Sequence, residues 1–208
     1  MAQILKFPVR ATKFGYKRVP KRARCDHPDQ LQLFAPASAQ VLRLAPESGY
    51  FEYALMLDER GDSQASEFYL KAIAEQNCVA DAYCNLGIIE SKHGEIAKAF
   101  DCFTNSLKQN PRHFEAQYNL GNLYFEVNDL RLAQLHYDLA VEVEPSFPNV
   151  DFNLALVLSI NNEFASAISA LMKYQEMVPA SEGRNANELL ENLKKSLAAS
   201  KGSRAGVK

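Results

Sequence analysis

Asparagine returns at a fixed interval in this chain, and its side chain suits recognition of a peptide backbone. Asn85, Asn119 and Asn153 are separated by 34 residues each, and each precedes a leucine. A carboxamide carries one acceptor and one donor group, which match the N–H and C=O of an extended peptide. The spacing therefore predicts a row of carboxamides, one for each structural repeat.

The residue types that usually carry catalysis or bind metals show no comparable spacing. The four histidines are scattered and form no HExxH motif or other paired ligand spacing. The chain has no glycine-rich phosphate loop and no GxSxG motif. Its four cysteines lack CxxC spacing, so we expect reduced thiols rather than a zinc site or a disulfide framework. The sequence predicts a protein that is not an enzyme and that needs no metal or cofactor.

The 34-residue interval extends beyond the asparagines and predicts pairs of short helices. Alanines and prolines are also in step, at Ala99, Ala133 and Ala167 and at Pro111, Pro145 and Pro179. Each proline should follow a second helix, and left-handed residues should end the first helices at Gly61, Gly94, Asn128 and Asn162. Two short helices with two turns fill 34 residues, and stacked hairpins present a long concave surface.

The pattern resembles the tetratricopeptide repeat (TPR) family over roughly residues 47–183. One unit is carried by Tyr83, Leu86, Gly87, Gly94, Ala99, Phe103, Ser106 and Pro111, and the next by Leu120, Gly121, Tyr124, Asn128, Ala133, Tyr137, Ala140 and Pro145. The resemblance implies an all-α, right-handed superhelical array of four hairpins. We assign residues 46–183 to this array, with units at 46–79, 80–113, 114–147 and 148–181. A capping helix at 184–200 and a basic tail at 201–208 follow.

The resemblance also implies a peptide-binding site on the first helices, which line the concave groove in this family. Asn85, Asn119 and Asn153 would grip the peptide backbone. Further side chains predicted to face the groove are Tyr118, Asn122, Phe125, Glu126 and Phe152. Cys84 and Tyr118 stand where receptors for acidic chaperone tails have bases, which argues against that ligand. An acidic, aromatic-studded groove favours a basic or neutral peptide with apolar anchors.

Residues 1–45 form a basic arm outside the repeats, expected to be extended or partly disordered. The first 25 residues hold eight basic residues and no acid, so the remainder carries a net charge of −10. One hypothesis is nucleic-acid contact through Lys13, Lys17, Arg18, Lys21, Arg22 and Arg24. A second places the arm in the protein's own acidic groove. A third is an organellar presequence, and a fourth is a solvated tail without a role.

A short motif in the arm resembles the QLxLF pentapeptide by which bacterial replication and repair proteins dock on the sliding clamp. Gln30 would bond at the rim of the clamp pocket, while Leu31, Leu33 and Phe34 would enter its apolar cleft. The competing interpretation is that these apolar side chains cover the exposed edge of the first repeat.

The totals favour a soluble interaction module. No apolar run approaches the 18 residues of a membrane span, and we expect a cytoplasmic protein. The predicted function is an adaptor that binds a peptide or protein segment in the groove. Two competing functions are a nucleic-acid-associated factor, with or without clamp docking, and a self-associating structural subunit.

Overall fold

The computed structural model describes residues 15–20, 49–179 and 182–205 of the chain, and its regular elements there are all α-helices. The chain divides into two compact units, which we describe separately. One holds the described residues within Arg18–Ala116, and the other holds those within Met1–Lys17 and Gln117–Lys208. Lys17 and Arg18 are consecutive in sequence, so residues 15–20 contribute to both units.

The described part of the Arg18–Ala116 unit contains four complete helices in which neighbours along the chain pack together. They are α1 (Tyr50–Glu59), α2 (Ala65–Ala74), α3 (Val79–Lys92) and α4 (Ile96–Gln109). Helix α1 packs on α2, α2 on α3 and α3 on α4. Helix α5 (Phe114–Glu126) begins in this unit and continues into the other.

Where it is described, the second unit contains the rest of α5 and four further helices. They are α6 (Leu130–Val143), α7 (Pro148–Ile160), α8 (Phe164–Met177) and α9 (Arg184–Ala205). Helix α7 packs against both α6 and α8, and every residue from Val150 to Ser159 is buried. We refer to α1, α3, α5 and α7 as the first helices and to α2, α4, α6 and α8 as the second helices.

The predicted turn residues after the first helices and the predicted prolines after the second helices are confirmed. Positive φ angles of 71° at Gly61, 79° at Gly94, 61° at Asn128 and 63° at Asn162 occur where first helices end. Glycine and asparagine tolerate this left-handed conformation better than other residues. The three prolines follow the ends of α4, α6 and α8. Hairpin geometry is therefore specified locally by the sequence.

The junction between α2 and α3 departs from this pattern. Here Asn77 replaces the closing proline, and both Gln76 and Cys78 adopt positive φ angles, of 56° and 47°. Cys78 is disulfide-bonded, so the expectation of reduced thiols is wrong at this position. Cys84 and Cys102 are free. The absence of CxxC spacing therefore did not exclude a disulfide, because a disulfide links residues that are close in space and not necessarily in sequence.

The repeated mid-helix glycines lie beneath aromatic rings. A Cβ atom on Gly87 would come within 2.7 Å of the Phe103 ring, and one on Gly121 within 2.5 Å of the Tyr137 ring. Phe103 and Tyr137 are fully buried on the second helix of the same hairpin. Glycine is required at these sites because the ring occupies the volume that a side chain would need.

Helix α5 carries much of the candidate site, and a buried histidine fixes where it begins. The Ala116 N–H donates to His113 Nδ1 at 3.2 Å, which satisfies one of the free donors at the helix start. The other ring nitrogen, Nε2, therefore carries the proton and donates to Asp81 Oδ1 at 2.7 Å. Asp81 is thus engaged within the fold, although its position in the repeat predicts a charge facing the groove.

The last helix differs in length from the expected capping helix. Helix α9 packs on α8 through an apolar face whose members Ala186, Leu189, Leu190 and Leu193 are buried. It continues to Ala205, beyond the predicted end at residue 200. Gly202 lies inside it, because a glycine lowers helix propensity by about 1 kcal/mol without stopping a helix.

Candidate functional site

Within the unit that includes Gly15–Lys17, this segment lies along α5. Asn119 bonds both backbone groups of Lys17: its Oδ1 accepts from the N–H at 2.7 Å and its Nδ2 donates to the C=O at 3.0 Å. Asn122 Nδ2 donates to the Gly15 carbonyl at 3.4 Å. Alternate residues of the segment thus present their backbone to the helix, as expected of an extended chain.

Two side chains of the same segment also have partners. The Tyr16 hydroxyl donates to a carboxylate oxygen of Glu126 at 3.0 Å. The Lys17 ammonium lies 3.9 Å from the centre of the Phe147 ring, a cation–π contact worth about 0.5–1 kcal/mol where exposed. The Tyr16 hydroxyl is therefore recognised by a carboxylate, and the Lys17 ammonium is recognised by the face of an aromatic ring.

A buried network orients the asparagines of this unit. The Tyr137 hydroxyl donates to Asn122 Oδ1 at 2.7 Å, and Asn153 Nδ2 donates to the same oxygen at 3.0 Å. With its oxygen engaged, Asn122 directs its NH₂ group toward the Gly15 carbonyl. Burial raises the pKa of Tyr118 and raises that of Tyr137 well above its usual value, so both hydroxyls keep their protons at neutral pH.

Asn153 occupies a different position from the other two repeated asparagines. It is fully buried, and its Nδ2 bonds Asn122 and, at 3.3 Å, the Tyr118 hydroxyl. Its Oδ1 makes no hydrogen bond among the described residues. Contact between Asn153 and a peptide therefore stays a prediction.

In the Arg18–Ala116 unit, Asn85 bonds the backbone of Val19 at both ends. Its Oδ1 accepts from the Val19 N–H at 2.8 Å, and its Nδ2 donates to the Val19 C=O at 3.1 Å. The same Nδ2 group donates to the Tyr69 hydroxyl at 3.2 Å. Val19 itself is completely buried. One carboxamide, held by a tyrosine, thus fixes an apolar residue through its main chain.

Beside it, Arg18 forms a two-point ion pair with Asp58. Arg18 Nε lies 2.7 Å from Asp58 Oδ2, and Nη2 donates to Oδ1 at 2.7 Å. The Tyr69 hydroxyl donates to Oδ2 at 3.4 Å. Burial raises the pKa of Asp58, and the guanidinium of Arg18 opposes that rise by favouring the ionised carboxylate. Burial and the charge of Asp58 together raise the pKa of Tyr69, which keeps its hydroxyl protonated.

The other predicted groove residues are distributed between surface and interior. Tyr118 and Phe152 are buried, Phe125 is half-buried and Glu126 is exposed. Tyr118 contacts the rings of Tyr137 and Phe147, and Phe152 contacts that of Tyr174. Both of these first-helix residues therefore pack against aromatic rings elsewhere in their own repeats.

The basic arm is described only in part. Two of the predicted nucleic-acid contacts have partners within the chain: Lys17 contacts Phe147, and Arg18 pairs with Asp58. The remaining predicted contacts, Lys13, Lys21, Arg22 and Arg24, lie outside the described residues. So does the predicted clamp motif, Gln30, Leu31, Leu33 and Phe34. Of the four hypotheses for the arm, occupation of its own first helices is the arrangement seen for residues 15–20.

Sequence reasoning missed the two tyrosines that support the asparagines. Tyr69 and Tyr137 occupy the aromatic position of the second helix in their units, where the intervening unit has Phe103. Both hydroxyls bond a carboxamide, that of Asn85 or that of Asn122. The sequence did contain a signal for these supports, namely a tyrosine with its hydroxyl group at a repeat position that is otherwise apolar.

No group of histidine, cysteine or acidic side chains among the described residues has the geometry to hold a metal ion. In the part of the chain that the structure describes, no helix is both long and apolar enough to cross a membrane. The site consists of carboxamides, carboxylates and aromatic rings, which are groups suited to holding another chain.

Consecutive helical hairpins with glycine and asparagine turns define a helical repeat protein. The family sequence profile described as tetratricopeptide repeat matches residues 84–128 and 118–182. Residues 84–182 of the chain are therefore tetratricopeptide repeats, as the sequence pattern predicted.

Several known proteins are similar to this chain in sequence or in fold. Protein bimA of Emericella nidulans is 26% identical over 117 residues, which is 56% of this chain and 14% of bimA. The chain spans about a seventh of the length of the curated relatives it matches, 14% and 16%. Two solved structures share the fold. One is YrrB, described as a TPR protein with an unusual peptide-binding site, with a TM-score of 0.57 and 22% identity, covering 73% of this chain and 90% of YrrB. The other is the first TPR of Spaghetti (RPAP3) bound to the HSP90 peptide SRMEEVD, with a TM-score of 0.53 and 20% identity, covering 57% of this chain and 93% of that one.

Proposed function

We propose that the protein is a non-enzymatic adaptor that binds an extended peptide or protein segment along its first helices. The observation that carries this proposal is the pair of two-point contacts, from Asn119 to Lys17 and from Asn85 to Val19. Each carboxamide bonds the N–H and the C=O of one residue. Such contacts recognise the backbone of an extended chain whatever its side chains.

The side-chain contacts support a basic partner with apolar anchors. Lys17 lies on an aromatic ring, Arg18 meets a carboxylate, and Val19 is buried. A partner segment with the same types of side chain at these three positions would reproduce these contacts. Solved relatives support the general class, because the Spaghetti domain was determined with a bound peptide.

Nucleic-acid binding gains no support from the described part of the arm. A guanidinium paired to a buried carboxylate has two of its donors engaged by protein. Phosphate binding would require that ion pair to break. The adaptor is therefore the function that the site geometry favours.

A capture experiment tests the proposal with the full chain. Arg18→Glu/Val19→Asp, which we call the vacated variant, places a carboxylate opposite Asp58 and a charge at a buried position, so residues 18–19 should leave the site. We expect the vacated variant to enrich proteins from a nuclease-treated lysate that wild type captures weakly. Adding Asn119→Ala should reduce their recovery about tenfold, since two hydrogen bonds to the backbone are lost.

Asn105→Ala in the vacated variant is the matched control. Asn105 lies on the second helix α4, where its side chain accepts a hydrogen bond from Lys108. This control should leave recovery unchanged. Equal recovery with and without Asn119→Ala would overturn the proposed binding mode.

A further inference from the structure

We infer that Asp58, Tyr69 and Asn85 form a recognition site for arginine followed by a small aliphatic residue, and that Arg18 and Val19 occupy it as a resident copy of the partner's motif. This inference rests on the proposed function and adds the identity of the residues that the partner must supply. All five residues belong to the Arg18–Ala116 unit.

The first support is that the carboxylate needs a cation. Asp58 is a residue of α1 with only 9% of its surface exposed. A buried carboxylate is costly unless it is paired and hydrogen-bonded. Here Arg18 supplies the charge, and the Tyr69 hydroxyl supplies an additional hydrogen bond.

The second support is the geometry of the ion pair, which distinguishes arginine from lysine. Both carboxylate oxygens of Asp58 are engaged, each at 2.7 Å, by different nitrogens of one guanidinium. An ammonium group is a point charge on a flexible stem and does not make this planar, two-point contact. The Asp58 carboxylate is therefore arranged to accept two hydrogen bonds from one planar guanidinium.

The third support links the arginine position to the residue after it. Tyr69 donates to Asp58 Oδ2 and accepts from Asn85 Nδ2, so one hydroxyl connects the acid to the carboxamide. Asn85 holds the backbone of Val19, whose side chain is fully buried. The Tyr69 hydroxyl connects Asp58 to Asn85. The arginine pocket and the aliphatic position are therefore set at consecutive residues of the ligand.

The test uses a fluorescent peptide with the sequence of residues 15–20, Gly-Tyr-Lys-Arg-Val-Pro, and fluorescence anisotropy. The vacated variant should bind it at least about tenfold more tightly than wild type, because the resident Arg18 and Val19 compete in wild type. Peptides with lysine or citrulline in place of arginine should bind the vacated variant about tenfold more weakly. Citrulline keeps the shape of arginine and removes the charge.

Variants of the protein then locate the selectivity. Asp58→Asn in the vacated variant should abolish the preference for arginine over citrulline, whereas Asn85→Ala should weaken all the peptides to a similar extent. Glu59→Gln, at the adjacent and exposed acid, is the control and should preserve the preference. The peptide series itself needs no change at Asp58, so it remains decisive if Asp58→Asn does not fold.

The outcomes separate this inference from the proposed function. Absence of binding by every peptide, with lysate proteins still captured through Asn119, would overturn only the arginine site. Equal affinity for the arginine, lysine and citrulline peptides would do the same, and so would equal affinity of wild type and the vacated variant. Loss of both peptide binding and Asn119-dependent capture would overturn the proposed function as well.

Discussion

At the scale of single residues, the carboxamide contacts depend on hydroxyl groups beneath them. Asn85 is held by Tyr69, and Asn122 is held by Tyr137. Each tyrosine occupies the aromatic position of a second helix, so the residue that fills the core also orients the polar group above it. Packing and recognition therefore share the same side chains.

The close approach at Gly87 yields a prediction about stability. Gly87→Ala adds a Cβ atom 2.7 Å from the buried Phe103 ring. Overpacking costs about 1–3 kcal/mol, which exceeds the gain of about 1 kcal/mol in helix propensity. We expect the free energy of unfolding in urea to fall by about 1–2 kcal/mol.

Phe103→Leu should relieve that strain. The fourth unit has Ala155 and Leu171 at the corresponding repeat positions. The double variant Gly87→Ala/Phe103→Leu should therefore lose less free energy of unfolding than the two single variants lose together. We expect a coupling energy of about 1 kcal/mol in a double-mutant cycle. Strict additivity of the two substitutions would show that the ring does not set the glycine requirement.

At the scale of the element, α9 closes the apolar face of α8. Leu193 is fully buried in α9, and the helix packs on α8. Leu193→Ala should lower the free energy of unfolding by about 2–5 kcal/mol, and amide exchange should accelerate in α8. Lys194→Ala, at an exposed neighbour, should change stability by no more than about 0.5 kcal/mol. Similar losses in both variants would argue against a capping role.

The helices themselves could be predicted well, because their signals are local. Asn128 and Asn162 take the positive φ angles that the repeat pattern required of them. The end of α9 could not be placed, since Gly202 is a stop signal only when neighbouring contacts allow the chain to turn there. The junction at Gln76 and Cys78 was also missed, because neither residue type favours the left-handed conformation that both adopt.

Repetition in the sequence predicts the type of the candidate binding residues, but it does not predict which residues they contact. Repetition identified Asn85 and Asn119, whose contacts with a backbone are seen in the structure. The pairing of Arg18 with Asp58 joins residues 40 positions apart, and that of Tyr16 with Glu126 joins residues 110 apart. No periodic pattern relates such positions, so the individual contacts of residues 15–20 could be found only from the structure, although the separation of charge had suggested the arm as an occupant of the groove.

At the scale of the whole molecule, charge is divided between a basic arm and an acidic remainder. This division raised nucleic acid as a competing ligand, and salt separates the two hypotheses. Neutralisation of six or more phosphates of a single strand would lower affinity by about three-hundredfold or more between 50 and 200 mM salt. The peptide should lose no more than about tenfold over that range, since its backbone and apolar contacts are insensitive to screening.

The measurement compares the arginine peptide with a single-stranded 20-mer of thymidine on the vacated variant and on wild type. We expect the peptide to remain bound at 200 mM salt and the oligonucleotide to bind weakly at every salt concentration. Tight oligonucleotide binding with a steep salt dependence would favour the nucleic-acid hypothesis.

The carboxamide contacts have a consequence for where a ligand can contain proline. Asn119 accepts from the N–H of Lys17, and Asn85 accepts from the N–H of Val19. Proline has no N–H to donate, so it should be excluded at these two alternate positions. At the position of Pro20 the chain itself carries proline. A cognate segment should therefore lack proline at both of these positions and should tolerate it directly after the second one, a rule that would narrow a search for partners.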